Sequence, residues 1–206
     1  MTLPLPTLPR LPLVAILRGL DPQAAPAVGR ALFDAGWRVL EVPLNRPGAL
    51  DAIRILADMA PPDAIVGGGT MLTVDHVDAV AAAGGRLFVA PNCNPAVIAH
   101  ARAVGMLCAP GVATPTEAFA ALDAGAHALK LFPAESIGPA GLKAMASVLP
   151  GGTPLWPVGG VTPEQIPAWR AAGATGAGIG SQLFAPGVTP EVLAARAAAF
   201  AAAWRD

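Results

Sequence analysis

The sequence predicts an α/β fold, a (β/α)₈ TIM barrel with a parallel sheet, formed by a single domain over residues 1–206. The main observation is a repeated junction, in which an Ala-rich stretch ends in Gly and a short apolar run follows at once. Gly after a helical pattern is typical of a helix C-terminus, and the apolar run is typical of a strand buried on both faces. The junction glycines are Gly36, Gly84, Gly105, Gly125 and Gly173.

The spacing of these glycines indicates eight units. The first and last intervals are more than twice as long as the two middle ones, and each contains a further apolar run that the junction pattern does not mark. Together with a run near the start of the chain, the count reaches the eight strands that the barrel requires. The predicted strands are residues 13–17, 37–42, 63–67, 86–90, 106–109, 126–131, 153–158 and 174–180.

Helix starts follow several of the strands. They are indicated by N-capping residues, most of them followed by Pro, at Asp21-Pro22, Thr73, Asn94-Pro95, Thr114-Pro115 and Thr162-Pro163. An open doubly wound sheet is the competing architecture, but the glycine-rich turns lack the G-x-G-x-x-G spacing of its nucleotide-binding loop.

Composition restricts the class of partner. The net charge is −1, which argues against nucleic acid, and no apolar run reaches the ~20 residues of a spanning helix, which argues against a membrane. Residues 1–12 are rich in Pro and do not resemble a signal peptide, so a cytoplasmic location is expected. The two Cys and three His show no metal-ligand spacing, so neither a metal nor another cofactor is expected.

Three charged residues interrupt or end apolar strands. They are Arg18, Glu41 and Lys130, in a chain of which only 13% is charged. A buried ion pair is one interpretation. The functional interpretation is that Leu129, Leu131 and Phe132 desolvate the Lys130 amine and favour its neutral form, which attacks a carbonyl. Glu41 could then transfer protons, and Arg18 could hold a carboxylate or phosphate.

The last two strands end in glycine-rich turns. Val158, Gly159 and Gly160 follow the seventh strand, while Gly180 and Ser181 follow the eighth, where this fold commonly binds phosphate. Tight packing turns are the alternative. Thr70 after the third strand could face the same end as a hydroxyl donor or could cap a helix. Pro91-Asn92 after the fourth strand could face it as well, with the Asn92 amide, and both residues are predicted to bind substrate.

These residues resemble the KDPG/KHG aldolase family, the pyruvate-dependent aldolases of 2-keto-3-deoxy-6-phosphogluconate and 2-keto-3-deoxy-6-phosphogalactonate. The resemblance covers almost the whole chain. It rests on Ala15-Ile16-Leu17-Arg18-Gly19, Glu41-Val42-Pro43-Leu44-Asn45, Gly67-Gly68-Gly69-Thr70, Ala90-Pro91-Asn92, Pro110-Gly111, Lys130-Leu131-Phe132-Pro133, Val158-Gly159-Gly160-Val161 and Gly180-Ser181.

The resemblance implies a role for each matching residue. Lys130 would form a Schiff base, Glu41 would transfer protons, and Arg18 with Thr70 would hold the pyruvyl carboxylate. Phosphate would be bound by Gly160, Gly180 and Ser181. The implied ligand is a phosphorylated keto sugar acid, the implied products are pyruvate and D-glyceraldehyde 3-phosphate, and similar enzymes are homotrimers.

Two departures from the family pattern bear on the substrate. Gluconate members usually carry Thr at the position of Val158 and Arg at the position of Asn45, so the galactonate epimer is favoured. The adjacent Arg46 could substitute for the phosphate-reaching guanidinium that Asn45 lacks. A gluconate or dual-epimer aldolase remains the alternative within the family. From other classes, a phosphosugar-binding barrel without catalysis and a metal-dependent or epimerase-type barrel also remain open.

Overall fold

The computed structural model describes residues 11–205, so most of the N-terminal segment 1–12 that was predicted not to be a signal peptide lies outside the described residues. The strands are β1 (Leu13–Ile16), β2 (Val39–Pro43), β3 (Ile65–Gly69), β4 (Leu87–Val89), β5 (Leu107–Ala109), β6 (Gly111–Val112), β7 (Leu129–Leu131), β8 (Leu155–Pro157) and β9 (Ala177–Ile179). The helices are α1 (Ala25–Asp34), α2 (Ala49–Met59), α3 (Val74–Ala82), α4 (Pro95–Ala103), α5 (Pro115–Asp123), α6 (Ala134–Ala146), α7 (Ile166–Ala171) and α8 (Pro190–Arg205).

All strand pairs are parallel, which confirms the predicted parallel α/β class. One sheet has six strands in the order β5-β4-β3-β2-β1-β9, and the other has three in the order β6-β7-β8. The fifth predicted strand, 106–109, corresponds to β5, and the chain continues past Pro110 into the short β6, which the sequence did not predict. Pro110 interrupts the pairing because Pro cannot donate a ladder hydrogen bond. At the other junction, Val158 after β8 forms a parallel bridge with Gly178 of β9.

The helix boundaries follow the sequence signals closely. All five junction glycines have positive φ, between 84° and 108°, as a left-handed helix C-terminus requires. Thr73, Asn94 and Thr114 cap α3, α4 and α5 through their side chains, and Thr114 forms a full capping box with Glu117. The first helix starts later than the Asp21-Pro22 signal, at Ala25, after a turn. The Thr162-Pro163 signal begins a short 3₁₀ helix, Pro163–Gln165, which leads into α7.

Apolar side chains form two clusters. The larger one joins the strands to the surrounding helices. The smaller one joins inward side chains of both sheets: Val14, Val39, Ile65, Leu87, Val89, Leu107, Ala109, Ala128 and Trp156. Trp156 therefore lies in the interior that the strands enclose.

Among residues 11–205, none of the helices is both long enough and apolar enough to cross a bilayer.

Gly67 lets β3 and β4 approach each other beside Glu41, its register partner on β2. A Cβ at this position would overlap the backbone of Leu87. We therefore expect Gly67→Ala to lower the free energy of unfolding by about 1–3 kcal/mol, because the two strands must separate. Urea denaturation measures the change. Gly151→Ala is the control, since a Cβ there meets no atom within 4 Å; equal denaturation midpoints for both variants would contradict the close approach.

Candidate active site

Glu41 and Lys130 each lie in a row of paired residues that runs across neighbouring strands and faces the interior. Glu41 on β2 is paired with Ile16 on β1 and Gly67 on β3. Lys130 on β7 is paired with Gly111 on β6 and Trp156 on β8. Both charged side chains line one small interior cavity of about 10 Å³, which has room for roughly one water molecule. The sequence therefore brings the two predicted catalytic residues together from separate sheets.

The two residues are buried without a direct salt bridge. Glu41 is 2% exposed and Lys130 is 7% exposed, and they are the two charged residues with buried side chains among the described part of the chain. The salt bridges formed by residues 11–205 do not include either side chain. Lys130 Nζ lies 5.2 Å from the centre of the Phe132 ring. This geometry does not favour the structural ion-pair interpretation.

Burial determines the protonation of Glu41. Desolvation raises the pKa of its carboxyl above the ordinary value of 4.5, and the positive charges of Lys130 and then Arg18 lower it to a smaller extent. Oε2 is buried and has no hydrogen-bond partner among the described residues. A carboxyl group in this setting can carry a proton and can transfer it to a neighbouring group.

Gly69 makes room for the Glu41 carboxyl group. A Cβ at Gly69 would lie 2.6 Å from Glu41 Oε1 and 2.7 Å from its Cδ, which is closer than real side chains approach. The next residue, Thr70, has a φ of 56°, an unusual value for a β-branched residue. Strained backbone of this kind is concentrated at functional sites. Thr70 is not the helix cap, since Thr73 caps α3.

A second, larger cavity of about 410 Å³ opens above the first, at the C-terminal ends of the strands. It shares Ile16 and Val158 with the interior cavity. The predicted binding residues that line it are Arg18, Val158, Gly159, Gly160, Gly180 and Ser181. The predicted anion-binding turns of the last two strands therefore face the same space as Arg18.

Backbone donors are available in this outer cavity. Gly159 and Gly160 have φ values of 119° and 62°, so both adopt conformations that favour glycine. The N–H groups of Gly160, Ser181 and Gln182 donate to no backbone acceptor in the described part of the chain. Free N–H groups in successive turns form a concave site that binds anions.

The structure places three predicted residues beside the cavities rather than in their lining. Thr70 is half-buried after β3, while Pro91 and Asn92 follow β4 at the same end of the strands. None of the three lines the inner or the outer cavity. Their roles in binding stay predictions.

Sequence reasoning did not predict that several other residues line the outer cavity. Phe132, whose ring centre lies 5.2 Å from Lys130 Nζ, lines the cavity. Two charged residues, Arg46 and Glu135, also line it. Arg46 was considered only as a substitute for the guanidinium that Asn45 lacks. Glu135 gave no signal, because it lies outside every glycine-rich turn and every strand.

Within residues 11–205, no group of three or more His, Cys, Asp or Glu side chains is arranged to hold a metal ion. Cys93 is half-buried, packs against the larger apolar cluster, and does not line either cavity.

Comparison with known proteins places this geometry in a family. Residues 6–194 match the KDPG and KHG aldolase family. The chain belongs to this family.

Individual relatives agree with the family match. A protein of Escherichia coli named 2-dehydro-3-deoxy-6-phosphogalactonate aldolase is 46% identical over 197 residues, which cover 96% of this chain and 96% of that protein. A 2-dehydro-3-deoxy-phosphogluconate aldolase of Zymomonas mobilis is 40% identical over 139 residues, covering 66% of this chain and 65% of its own. A solved structure described as native KDPGal is 46% identical, covers 95% of each chain, and superposes with a TM-score of 0.93.

The raised pKa of Glu41 predicts how stability depends on pH. Above pH 4.5 the unfolded chain loses the Glu41 proton while the folded chain keeps it, so this contribution to stability is complete at low pH. It is lost as the pH rises through the folded pKa. We expect Glu41→Gln to remove this loss, as measured by urea denaturation at a series of pH values.

Glu117→Gln is the control, because the pH dependence of stability that it removes has the opposite sign to that of Glu41. The backbone N–H of Ala113 is the main cause that lowers the pKa of Glu117 below 4.5. Its contribution is present above pH 4.5 and is lost as the pH falls through the lowered pKa. A Glu41→Gln variant with the same pH dependence as the unaltered protein would contradict the buried, protonated carboxyl.

Proposed function

We propose that the protein is a class I, Schiff-base aldolase that cleaves 2-dehydro-3-deoxy-6-phosphogalactonate to pyruvate and D-glyceraldehyde 3-phosphate. The observation that carries the proposal is the shared interior cavity of Lys130 and Glu41, which opens toward an outer cavity lined by Arg18 and the glycine turns. Family membership supports the reaction class.

Lys130 supplies the nucleophile. Its amine attacks the keto carbon, and loss of water from the carbinolamine gives an imine between the lysine and the substrate. The protonated imine draws electrons when the carbon–carbon bond breaks, which releases the aldehyde and leaves an enamine of pyruvate. Protonation of the enamine carbon gives a pyruvate imine, and water hydrolyses this imine to free pyruvate and the Lys130 amine. The interior cavity has room for roughly one water molecule, so the sugar acid lies in the outer cavity with its keto carbon directed toward Lys130.

Glu41 transfers the protons of this sequence. The carbinolamine oxygen must gain a proton before it leaves as water, the cleaved hydroxyl must lose one, and the enamine carbon must gain one. Burial keeps the pKa of Glu41 high, so its carboxyl can donate a proton and afterwards take one back. Its unpartnered Oε2 lies in the same cavity as Lys130 and can reach the reacting atoms directly or through a water.

The outer cavity holds the charged ends of the substrate. Arg18 offers a planar guanidinium to a carboxylate or phosphate. Gly159, Gly160, Gly180 and Ser181 offer backbone N–H groups and a hydroxyl to the phosphate. Thr70, Pro91 and Asn92 belong to this proposal as residues at the same strand ends that shape the approach to the cavity.

The galactonate epimer is favoured for two reasons. The Escherichia coli relative with that printed activity matches this chain over almost its full length, whereas the gluconate relative of Zymomonas mobilis matches over about two thirds. Val158, which lines both cavities, presents methyl groups where gluconate members usually present a hydroxyl. The gluconate or dual-epimer activity is the second candidate within the family.

The proposal includes the finer architecture and the setting of the enzyme. We infer that the two sheets are parts of one eight-stranded (β/α)₈ barrel and one domain, since Pro110 and the Val158–Gly178 bridge connect their edges. A homotrimer and a cytoplasmic location are proposed from the family resemblance and from the phosphorylated substrate.

Reductive trapping tests the nucleophile. Lys130 and Lys143 are the two lysines of the chain, so borohydride with pyruvate should add one fixed mass to the peptide that contains Lys130. We expect Lys130→Met to lose the label and to abolish turnover while the protein stays folded, because the apolar stem is retained. Mass spectrometry, a cleavage assay and circular dichroism measure these outcomes.

Lys143→Ala is the matched control, since Lys143 is exposed on α6. This variant should be labelled and active. Cleavage without a label on Lys130 would exclude the Schiff-base mechanism, and phosphosugar binding without any cleavage would favour the non-catalytic barrel.

A second test compares the two epimeric acids. We expect the unaltered protein to have the higher kcat/KM for the galactonate epimer, and Val158→Thr to shift the ratio toward the gluconate epimer by about tenfold, because a pocket hydroxyl can bond the substrate oxygen. Val158→Ala, which adds no hydroxyl, should not produce this shift. Equal kcat/KM values for both epimers in the unaltered protein would remove the galactonate assignment and leave the aldolase.

A further inference from the structure

Arg46 and Glu135 are charged residues of the outer cavity that the proposed reaction does not use. Together with Arg18 they are the charged residues that line it. Arg46 lies in the exposed turn after β2, and Glu135 lies exposed at the start of α6. Neither side chain forms a salt bridge with any residue in the range 11–205. Their charges are therefore available to a ligand in the cavity.

Glu135 lies directly against the glycine turn that follows β8. A Cβ at Gly160 would lie 2.8 Å from both Oε1 and Cγ of Glu135, and a Cβ at Gly159 would overlap Oε2. The hydrogen bonds that carboxylate oxygens accept among residues 11–205 do not include any to Glu135. A negative charge thus lies beside backbone donors that are suited to an anion, and no hydrogen bond offsets it.

The backbone holds Glu135 in this place. Gly138, with a φ of 66°, interrupts α6 after a single turn, and Pro139 begins the remaining part of the helix. Glu135 is carried by that first turn, whose residue Ala134 donates its N–H to the carbonyl oxygen of Val158 over 2.9 Å. The turn and the glycine loop are therefore joined at the backbone.

Arg46 lies on another wall of the cavity. A Cβ at Gly19, which follows β1, would lie 3.9 Å from Arg46 Cγ and 3.3 Å from Pro186 Cγ. Gly19 and Pro186 also line the cavity, so the stem of Arg46 packs at its rim. Its guanidinium adds a second positive charge to that of Arg18.

We propose that Arg46 and Glu135 set the affinity of the outer cavity for phosphate in opposite directions: Arg46 strengthens binding and Glu135 weakens it. This inference rests on the proposed function, since it takes the outer cavity as the phosphate end of the site. An exposed charge several ångströms from a phosphate dianion changes affinity only modestly, because water screens it. Glu135 opposes retention of a phosphorylated product as much as capture of the substrate.

The test measures binding of sn-glycerol 3-phosphate to the full chain by calorimetry, which does not require turnover. We expect Arg46→Gln to raise its dissociation constant about three- to tenfold and Glu135→Gln to lower it by a similar factor. Both shifts should shrink as the salt concentration rises. Trapping of pyruvate on Lys130, which carries no phosphate, should proceed equally in both variants.

Charge-conserving and distant variants serve as controls. Arg46→Lys and Glu135→Asp should bind much as the unaltered protein does, because each keeps its charge. Arg54→Gln and Glu191→Gln change the charge outside the cavity and should also leave binding unchanged.

The outcomes separate this inference from the proposed function. Weaker or unchanged binding in Glu135→Gln, unchanged binding in Arg46→Gln, or no binding by the unaltered protein would overturn the inference even if cleavage is observed. Opposite shifts in a protein that cleaves neither epimer would support the inference and refute the proposed reaction.

Discussion

The whole site depends on keeping a carboxyl and an amine inside an apolar interior. Removing an ionised group from water costs several kcal/mol, and a direct ion pair would be the usual compensation. Here Glu41 and Lys130 share a cavity without forming that pair. Burial instead shifts Glu41 toward its protonated form. A direct ion pair would stabilise the ionised forms of both groups, and its absence leaves each side chain without that constraint.

Parallel strands explain why these groups meet. The inward rows that contain Glu41 and Lys130 come from different sheets, yet both point into one interior, and every strand end carries its loop to the same edge. In the proposed reaction, bond chemistry takes place where Lys130 and Glu41 border the small inner cavity, and the larger outer cavity recognises the charged ends of the substrate. Glycines permit this arrangement: Gly69 makes room for the carboxyl group of Glu41.

The sequence was most informative where local chemistry determines structure. Junction glycines mark positive φ, and Thr or Asn before a helix marks its cap, since both depend on a few neighbouring atoms. Strands buried on both faces show no alternation, so the sequence could not say that Trp156 points inward. Glu135 was missed for a different reason: its position depends on the interruption of α6 at Gly138 and on a distant loop.

The two cavities are coupled electrostatically through Arg18. Its guanidinium lines the outer cavity, yet its positive charge lowers the pKa of Glu41 in the inner one. An anionic group that meets Arg18 offsets this charge, and the pKa of Glu41 then rises further above its ordinary value. In the proposed reaction, binding of an anion in the outer cavity would therefore favour the protonated carboxyl at the stage when the carbinolamine oxygen needs a proton. In the proposed reaction, Arg18 thus links binding of the substrate's charged end to the protonation of Glu41.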